Sequence, residues 1–132
     1  MTEKGSKRVL IIEDEPDVAE TMKKLTEKGG YEAEFVLDPR KGLEIAKNYD
    51  LVLLDLMMPV MSGREFLDEI PRRGIKTPII VVSAVGLSDE LKKELSVKYP
   101  RVGFVAKTDM HTDLVKAIKN QLECMDRKKA TV

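Results

Sequence analysis

LVLLDLMMPVMSG, residues 51–63, decides how this chain is read. Five residues with the character of a buried strand run into an aspartate, Asp55. A Met-Met-Pro break follows, and Ser62 and Gly63 then open what reads as a helix. A carboxylate at the tip of the most apolar strand is costly to desolvate unless something offsets its charge. The rest of the sequence has to supply that offset.

On either side of this stretch, apolar runs alternate with helical ones. Residues 9–12 (VLII) are short and continuously apolar, as a strand covered on both faces should be. Pro16 suits the first turn of a helix, and Val18, Met22 and Leu25 recur at helical spacing until Gly29-Gly30 stops it. Residues 33–36 (AEFV) make a second strand, and Asp38-Pro39 opens a helix with Leu43 and Ala46 inward. Beyond Asp55, Ser62-x-x-Glu65 is a capping-box signature for a helix carrying Phe66, Leu67 and Ile70. Residues 78–83 (PIIVVS) form the fourth strand, and Ser88 caps a helix with Leu91 and Leu95 on one face. The fifth strand is 102–107 (VGFVAK), and Thr112 is the expected cap of a last helix carrying Leu114, Ile118 and Leu122. Five strands alternating with five helices predict a single doubly wound α/β domain, a (βα)5 unit with a parallel sheet covered on both sides and right-handed crossovers. The domain is expected over residues 8–125, between flexible ends at 1–7 and 126–132.

Composition narrows the classes. A chain of 132 residues is about one domain long. With 42% hydrophobic and 35% charged residues it is too apolar for disorder. Lys plus Arg and Asp plus Glu are 23 each, so net charge recruits neither nucleic acid nor an anionic membrane. No apolar run approaches the ~20 residues that span a bilayer. The opening MTEKGSKRVL lacks the apolar core of a signal peptide, so the cytoplasm is the expected compartment. A single cysteine, Cys124, excludes an internal disulfide and a cysteine-rich metal site.

Each buried strand stops at a polar residue. The first runs into Glu13-Asp14-Glu15, the third ends in Asp55, the fourth in Ser83 and the fifth in Lys107. In an open parallel sheet the carboxyl ends share one edge, where ligands bind at the point of reversed strand order. If the strands are ordered 2-1-3-4-5, strands one and three are neighbours across that point, and Glu13, Asp14 and Asp55 would converge. Two like charges at roughly 4 Å cost about 4 kcal/mol at an effective dielectric near 20, so either a pKa rises or a cation enters. Oxygen-only ligands, few in number and with room for water and a phosphate, suit Mg²⁺. Glu15 and Asp17 read as acids capping the next helix. Taken alone, Lys107 fits a surface lysine and Ser83 a strand-end cap. Together the set offers a metal site, a carboxylate nucleophile, a hydroxyl donor and a fixed positive charge, the parts phosphoryl transfer needs.

These residues resemble the receiver domain of two-component response regulators, CheY-like proteins, over about Arg8 to Leu122. The carriers are VLIIEDEP and DLMMPVMSG, with Ser83-Ala84, Phe104 and Lys107. The resemblance implies a flavodoxin-like fold with the 2-1-3-4-5 order. Glu13 and Asp14 match the acidic pair that holds Mg²⁺ with Asp55 and the Met57 backbone carbonyl, and Asp55 matches the phosphoacceptor. Ser83 matches the switch hydroxyl and Lys107 the phosphate-pairing lysine. Phe104 stands at the aromatic switch position, where a plain core aromatic is the competing reading. The implied donor is a sensor histidine kinase, a phosphotransfer protein or a small phosphodonor. Output would pass to a protein partner through the face of the fourth and fifth strands and helices, without direct nucleic-acid contact, from a monomer or weak dimer.

The sequence departs from the family after Lys107, where Thr108 replaces a proline that is often cis. A cis bond before a non-proline residue costs about 2.5–4 kcal/mol, so a trans 107–108 peptide is predicted. VKYPRVGF (97–104) replaces the usual small-residue pattern. A degenerate receiver acting as a phosphorylation-independent binding module is one alternative. A Mg²⁺-dependent aspartate-nucleophile phosphatase is another, opposed by Met57 at the place of the second aspartate such enzymes carry. Only self-phosphorylation and autodephosphorylation are therefore expected of the chain. His111 reads as a solvated residue near the last helix cap.

Overall fold

The computed structural model describes residues 7–56, 61–83, 88–99 and 102–130, with the backbone alone for Gly63 and residues 124–130. The strands are β1 (Arg8–Ile12), β2 (Glu32–Val36), β3 (Leu51–Asp55), β4 (Ile79–Ser83) and β5 (Val102–Ala106). They alternate with α1 (Pro16–Lys28), α2 (Pro39–Ile45), α3 (Gly63–Arg72), α4 (Asp89–Lys98) and α5 (Met110–Ala130). The sheet is parallel throughout, in the order β2-β1-β3-β4-β5. This is the flavodoxin-like arrangement expected from the sequence.

Strand pleating explains why the central strands are apolar at every position. Val9, Ile11, Leu51, Leu53, Ile80 and Val82 join Met22 of α1 and Leu114 and Ile118 of α5 in one core. The intervening Leu10, Ile12, Val52, Leu54 and Val81 join Leu43, Phe66, Leu67 and Leu95, from α2, α3 and α4, in the other. Side chains alternate across a strand, so a strand with a helix layer on each face has no solvent-facing position. At the sheet edge, β2 keeps Glu34 exposed and is correspondingly less apolar.

Local signals set the helix starts. The Asp38 side chain accepts the Arg40 N–H, and that of Ser88 accepts the Leu91 N–H. Ser62 and Glu65 form the reciprocal capping box at α3, with the Glu65 N–H donating to Ser62 Oγ at 3.2 Å. We expect Ser62→Ala to cost about 1 kcal/mol in urea unfolding. Helices α1 and α3 are followed by Gly30 and Gly74 with φ of 97° and 68°, the left-handed region that glycine enters without strain.

Strand starts differ from the sequence reading by one residue at β1, β2 and β4, and the region after β5 differs more. A 3₁₀ turn, Lys107–Asp109, follows β5, so Lys107 lies just past the strand rather than at its last position. Helix α5 consequently starts at Met110, and Thr112, instead of capping it, donates its hydroxyl to the Asp109 carbonyl. Its backbone stays helical to Ala130, in a segment without glycine or proline. Glu15 occupies the position before α1 without making a side-chain cap bond. The 107–108 peptide is trans. Residues 1–6, which the sequence reading made part of a flexible end, lie outside the described residues. Among the described residues, no helix is long and apolar enough to cross a membrane.

Candidate functional site

The carboxyl edge of the sheet gathers residues from four separate parts of the chain. Glu13 directly follows β1, and its N–H donates to the Val36 carbonyl at 3.2 Å, extending the β1–β2 pairing by one residue. That anchoring holds Glu13 at the sheet edge, where its side chain is fully buried, while Asp14 is half-buried. Asp55 closes β3, buried and in register with Val82. Ligand oxygens of Glu13, Asp14 and Asp55 all lie within 4.8 Å of one another. Lys107 reaches in from the turn after β5, its Nζ 2.6 Å from Glu13 Oε1 and 3.6 Å from Asp55 Oδ2.

Ser83 ends β4, buried, beside Ala106 of β5. Phe104 is half-buried against the core under α2, α3 and α4, its Cα paired with that of Val81. It therefore sits on the neighbouring strand, two residues short of the level of Ser83. His111 is exposed on the first turn of α5. Met57 lies outside the described residues, as do Ala84 and Pro59. Met61 packs partly against the core.

The electrostatics follow from burial. Desolvation pushes the Glu13 carboxyl up to about 7, and nearby Asp55 adds to the rise. The Lys107 ammonium and the Glu15 N–H, which donates to Glu13 Oε2 at 3.2 Å, pull the other way without overcoming burial. For Lys107, burial acts against the charge, but the Glu13 contact and the Asp55 field outweigh it and hold the ammonium above its ordinary range. Glu15 contributes to that field as well. It belongs to the electrostatics of the pocket and is more than the helix-capping acid the sequence suggests. Its signal was adjacency to Glu13, which one-dimensional reading cannot separate from capping.

A carboxyl raised on folding favours the folded state below its unfolded value, and that contribution disappears as pH climbs through the folded value. The window here runs from about 4.5 to about 7, which corresponds to about 3 kcal/mol. In chelator, the wild type should lose that much stability relative to Glu13→Gln between pH 5 and pH 8. Parallel urea-unfolding stabilities over the range would contradict the burial argument.

The donor set fits a hard divalent ion. All three acceptors are carboxylate oxygens within 4.8 Å of one another, on two buried residues and one half-buried one, a hard-oxygen donor set of the kind Mg²⁺ takes. With so few protein ligands, Mg²⁺ suits the site better than Ca²⁺. The arrangement places the Asp55 carboxylate beside the Lys107 ammonium and two further carboxylates, a crowd of negative charge that the single ammonium offsets only in part.

Known proteins share this pattern. A family model of the response regulator receiver domain matches residues 9–119. The transcriptional regulatory protein DltR of Streptococcus agalactiae is 40% identical over 79 residues, covering 58% of this chain and 35% of that protein. The response regulator ArlR of Staphylococcus saprophyticus is 32% identical over 123 residues, covering 92% of this chain and 54% of that protein. The chain thus spans between about a third and about a half of these relatives. Among solved structures, a CheY-like response regulator receiver domain protein from Methanospirillum hungatei superposes with a TM-score of 0.80 at 26% identity, covering 94% of this chain and 99% of that one. With the acidic edge, the lysine and the strand order all in place, the chain belongs to the response regulator receiver domain family.

Proposed function

We propose that this chain is a phosphoacceptor switch, taking a phosphoryl group from a sensor histidine kinase, or from a phosphotransfer protein, onto Asp55. The observation that carries the reading is the single pocket in which the buried Asp55 carboxylate lies 3.6 Å from Lys107 Nζ and within one ion's reach of Glu13 and Asp14. Receiver domains generally bind Mg²⁺ at an acidic pocket, and here Glu13, Asp14 and Asp55 would hold it, with the Met57 carbonyl as a further ligand. Bound there, it supplies charge neutralisation for the incoming phosphoryl oxygens.

The chain's own residues do the rest. A carboxylate oxygen of Asp55 attacks phosphorus in line, the phosphorus–nitrogen bond of the donor phosphohistidine breaks, and the imidazole leaves with that bond's electron pair. The product is a mixed anhydride, an aspartyl phosphate. Lys107 compensates the added negative charge. Ser83, at the end of the adjacent strand, offers a hydroxyl to a phosphoryl oxygen. Its movement would open space for Phe104 to turn inward, so that charge at Asp55 is read as packing at β4 and β5. That repacking alters the β4/α4/β5/α5 face toward a downstream partner. Relatives such as DltR are transcriptional regulators longer than this chain, so the partner could be a DNA-binding unit joined to the receiver or a separate protein.

The test is phosphotransfer from a purified, radiolabelled histidine kinase with Mg²⁺ and with chelator. Label should move to this chain with Mg²⁺ and stay on the kinase without it. Mg²⁺ binding with no transfer from either a kinase or a small phosphodonor would favour the phosphorylation-independent binding module, and sink this reading.

A further inference from the structure

Helix α4 stands on a narrow apolar footing. It buries Leu95, with Leu91 half-buried against the same core, while Val97 is 77% exposed. Two polar links tie it sideways to α3. Arg64 Nη2 meets Glu94 Oε2 at 2.5 Å, and the Tyr99 hydroxyl donates to the Asp68 carboxylate. Tyr99 has the more telling position. It caps the end of α4, its N–H donating to the Leu95 carbonyl at 2.8 Å and its own carbonyl accepting the Val102 N–H at 3.1 Å. Its ring packs half-buried against the core that α3 and α4 share. One residue thus joins the end of α4, the start of β5 and the exposed side of α3. Burial and the Asp68 carboxylate push the Tyr99 hydroxyl up to about 12, so it stays a donor at neutral pH.

Both linked helices follow closely on the phosphoacceptor pocket. The cap of α3, Ser62, comes seven positions after Asp55, and the cap of α4, Ser88, five positions after Ser83. A shift of Ser83 toward a phosphoryl group is therefore carried to the first turn of α4. We propose, resting on the phosphoacceptor reading, that the Tyr99–Asp68 hydrogen bond is a latch: it holds α4 against α3 in the unphosphorylated conformation and opens when α4 follows Ser83. A contact made in one conformation and lost in the other biases the equilibrium by its own free energy, and ligand binding feels that bias reciprocally. A surface link of this kind is worth about threefold. Arg64–Glu94 is a second restraint of the same sign.

The probe is beryllofluoride, which mimics the phosphoryl group without a chemical step, titrated with Mg²⁺ into the ¹⁵N-labelled full chain. Tyr99→Phe keeps the ring, removes the donor, and should bind the probe about threefold more tightly than wild type. A general loss of packing would weaken binding instead. Asp68→Ala should tighten binding equally, and the double variant should gain nothing further, because both substitutions open the same contact. Without the probe, the amides of residues 94–98 should exchange with deuterium about threefold faster in Tyr99→Phe than in wild type. Unchanged or weaker binding by Tyr99→Phe, gains that add in the double variant, or unchanged exchange in α4 would each overturn the latch alone. A wild type that binds no beryllofluoride at all would sink the phosphoacceptor reading and the latch with it.

Discussion

Asp55→Asn is expected to accept no phosphoryl group from a donor that labels the wild type, a loss of at least about a thousandfold. The loss should be complete because neither neighbouring acid is placed to substitute. Glu13 is engaged by Lys107 at 2.6 Å and by the Glu15 N–H at 3.2 Å. Asp14 is half-buried, without the strand-end anchoring that fixes Asp55 between β1 and β4. The amide is close to isosteric and lowers the negative charge of the pocket, so the variant should fold. Circular dichroism and urea unfolding serve as the control. Labelling of a folded Asp55→Asn protein at the wild-type rate would move the acceptor elsewhere.

Lys107→Met carries the other large effect. Its ammonium bridges Glu13 and Asp55, and its side chain is only 14% exposed. Removing one member of a buried ion pair leaves the other uncompensated, at a cost of several kcal/mol. At pH 8 in chelator the destabilisation should reach about 3 kcal/mol. Near pH 5 it should shrink to about 1 kcal/mol, because without the lysine Glu13 protonates even more readily and the repulsion with Asp55 is relieved. The sign is fixed by burial: the lysine opposes the upward push on Glu13, and its loss removes that opposition. Phosphoryl transfer should slow by about a hundredfold, the scale for losing one preorganised electrostatic partner of a developing charge. A deficit of equal size at both pH values would show that the lysine acts through packing instead.

Much of this was legible in the sequence because parallel strands buried on both faces read as continuous apolar runs. VLII, LVLLD and PIIVVS could be placed without coordinates, and the polar residue that stops each of them marked the carboxyl edge. The capping residues Asp38, Ser62 and Ser88 act locally, within three residues, and the structure places them as read. The turn after β5 was not legible. Lys107–Asp109 forms a 3₁₀ turn whose geometry answers to the docking of α5 on the sheet, and Thr112 offered a plausible local cap that tertiary structure overrode. Nor was the partner of the lysine. The sequence put Lys107 near Asp55, whereas its ammonium lies closer to Glu13. The Arg64–Glu94 and Tyr99–Asp68 links between α3 and α4 join residues 30 and 31 positions apart, beyond the reach of any periodicity.

On the proposed function, Asp55, held against Lys107 and two further carboxylates, receives the phosphoryl group. Borohydride reduction of the phosphorylated protein, followed by peptide sequencing in a mass spectrometer, reads this out directly, since an aspartyl phosphate is reduced to homoserine. Homoserine is expected at position 55, dependent on Mg²⁺ and on the phosphodonor. Homoserine at position 14, or a phosphoryl group stable to reduction on a hydroxyl or on His111, would contradict it.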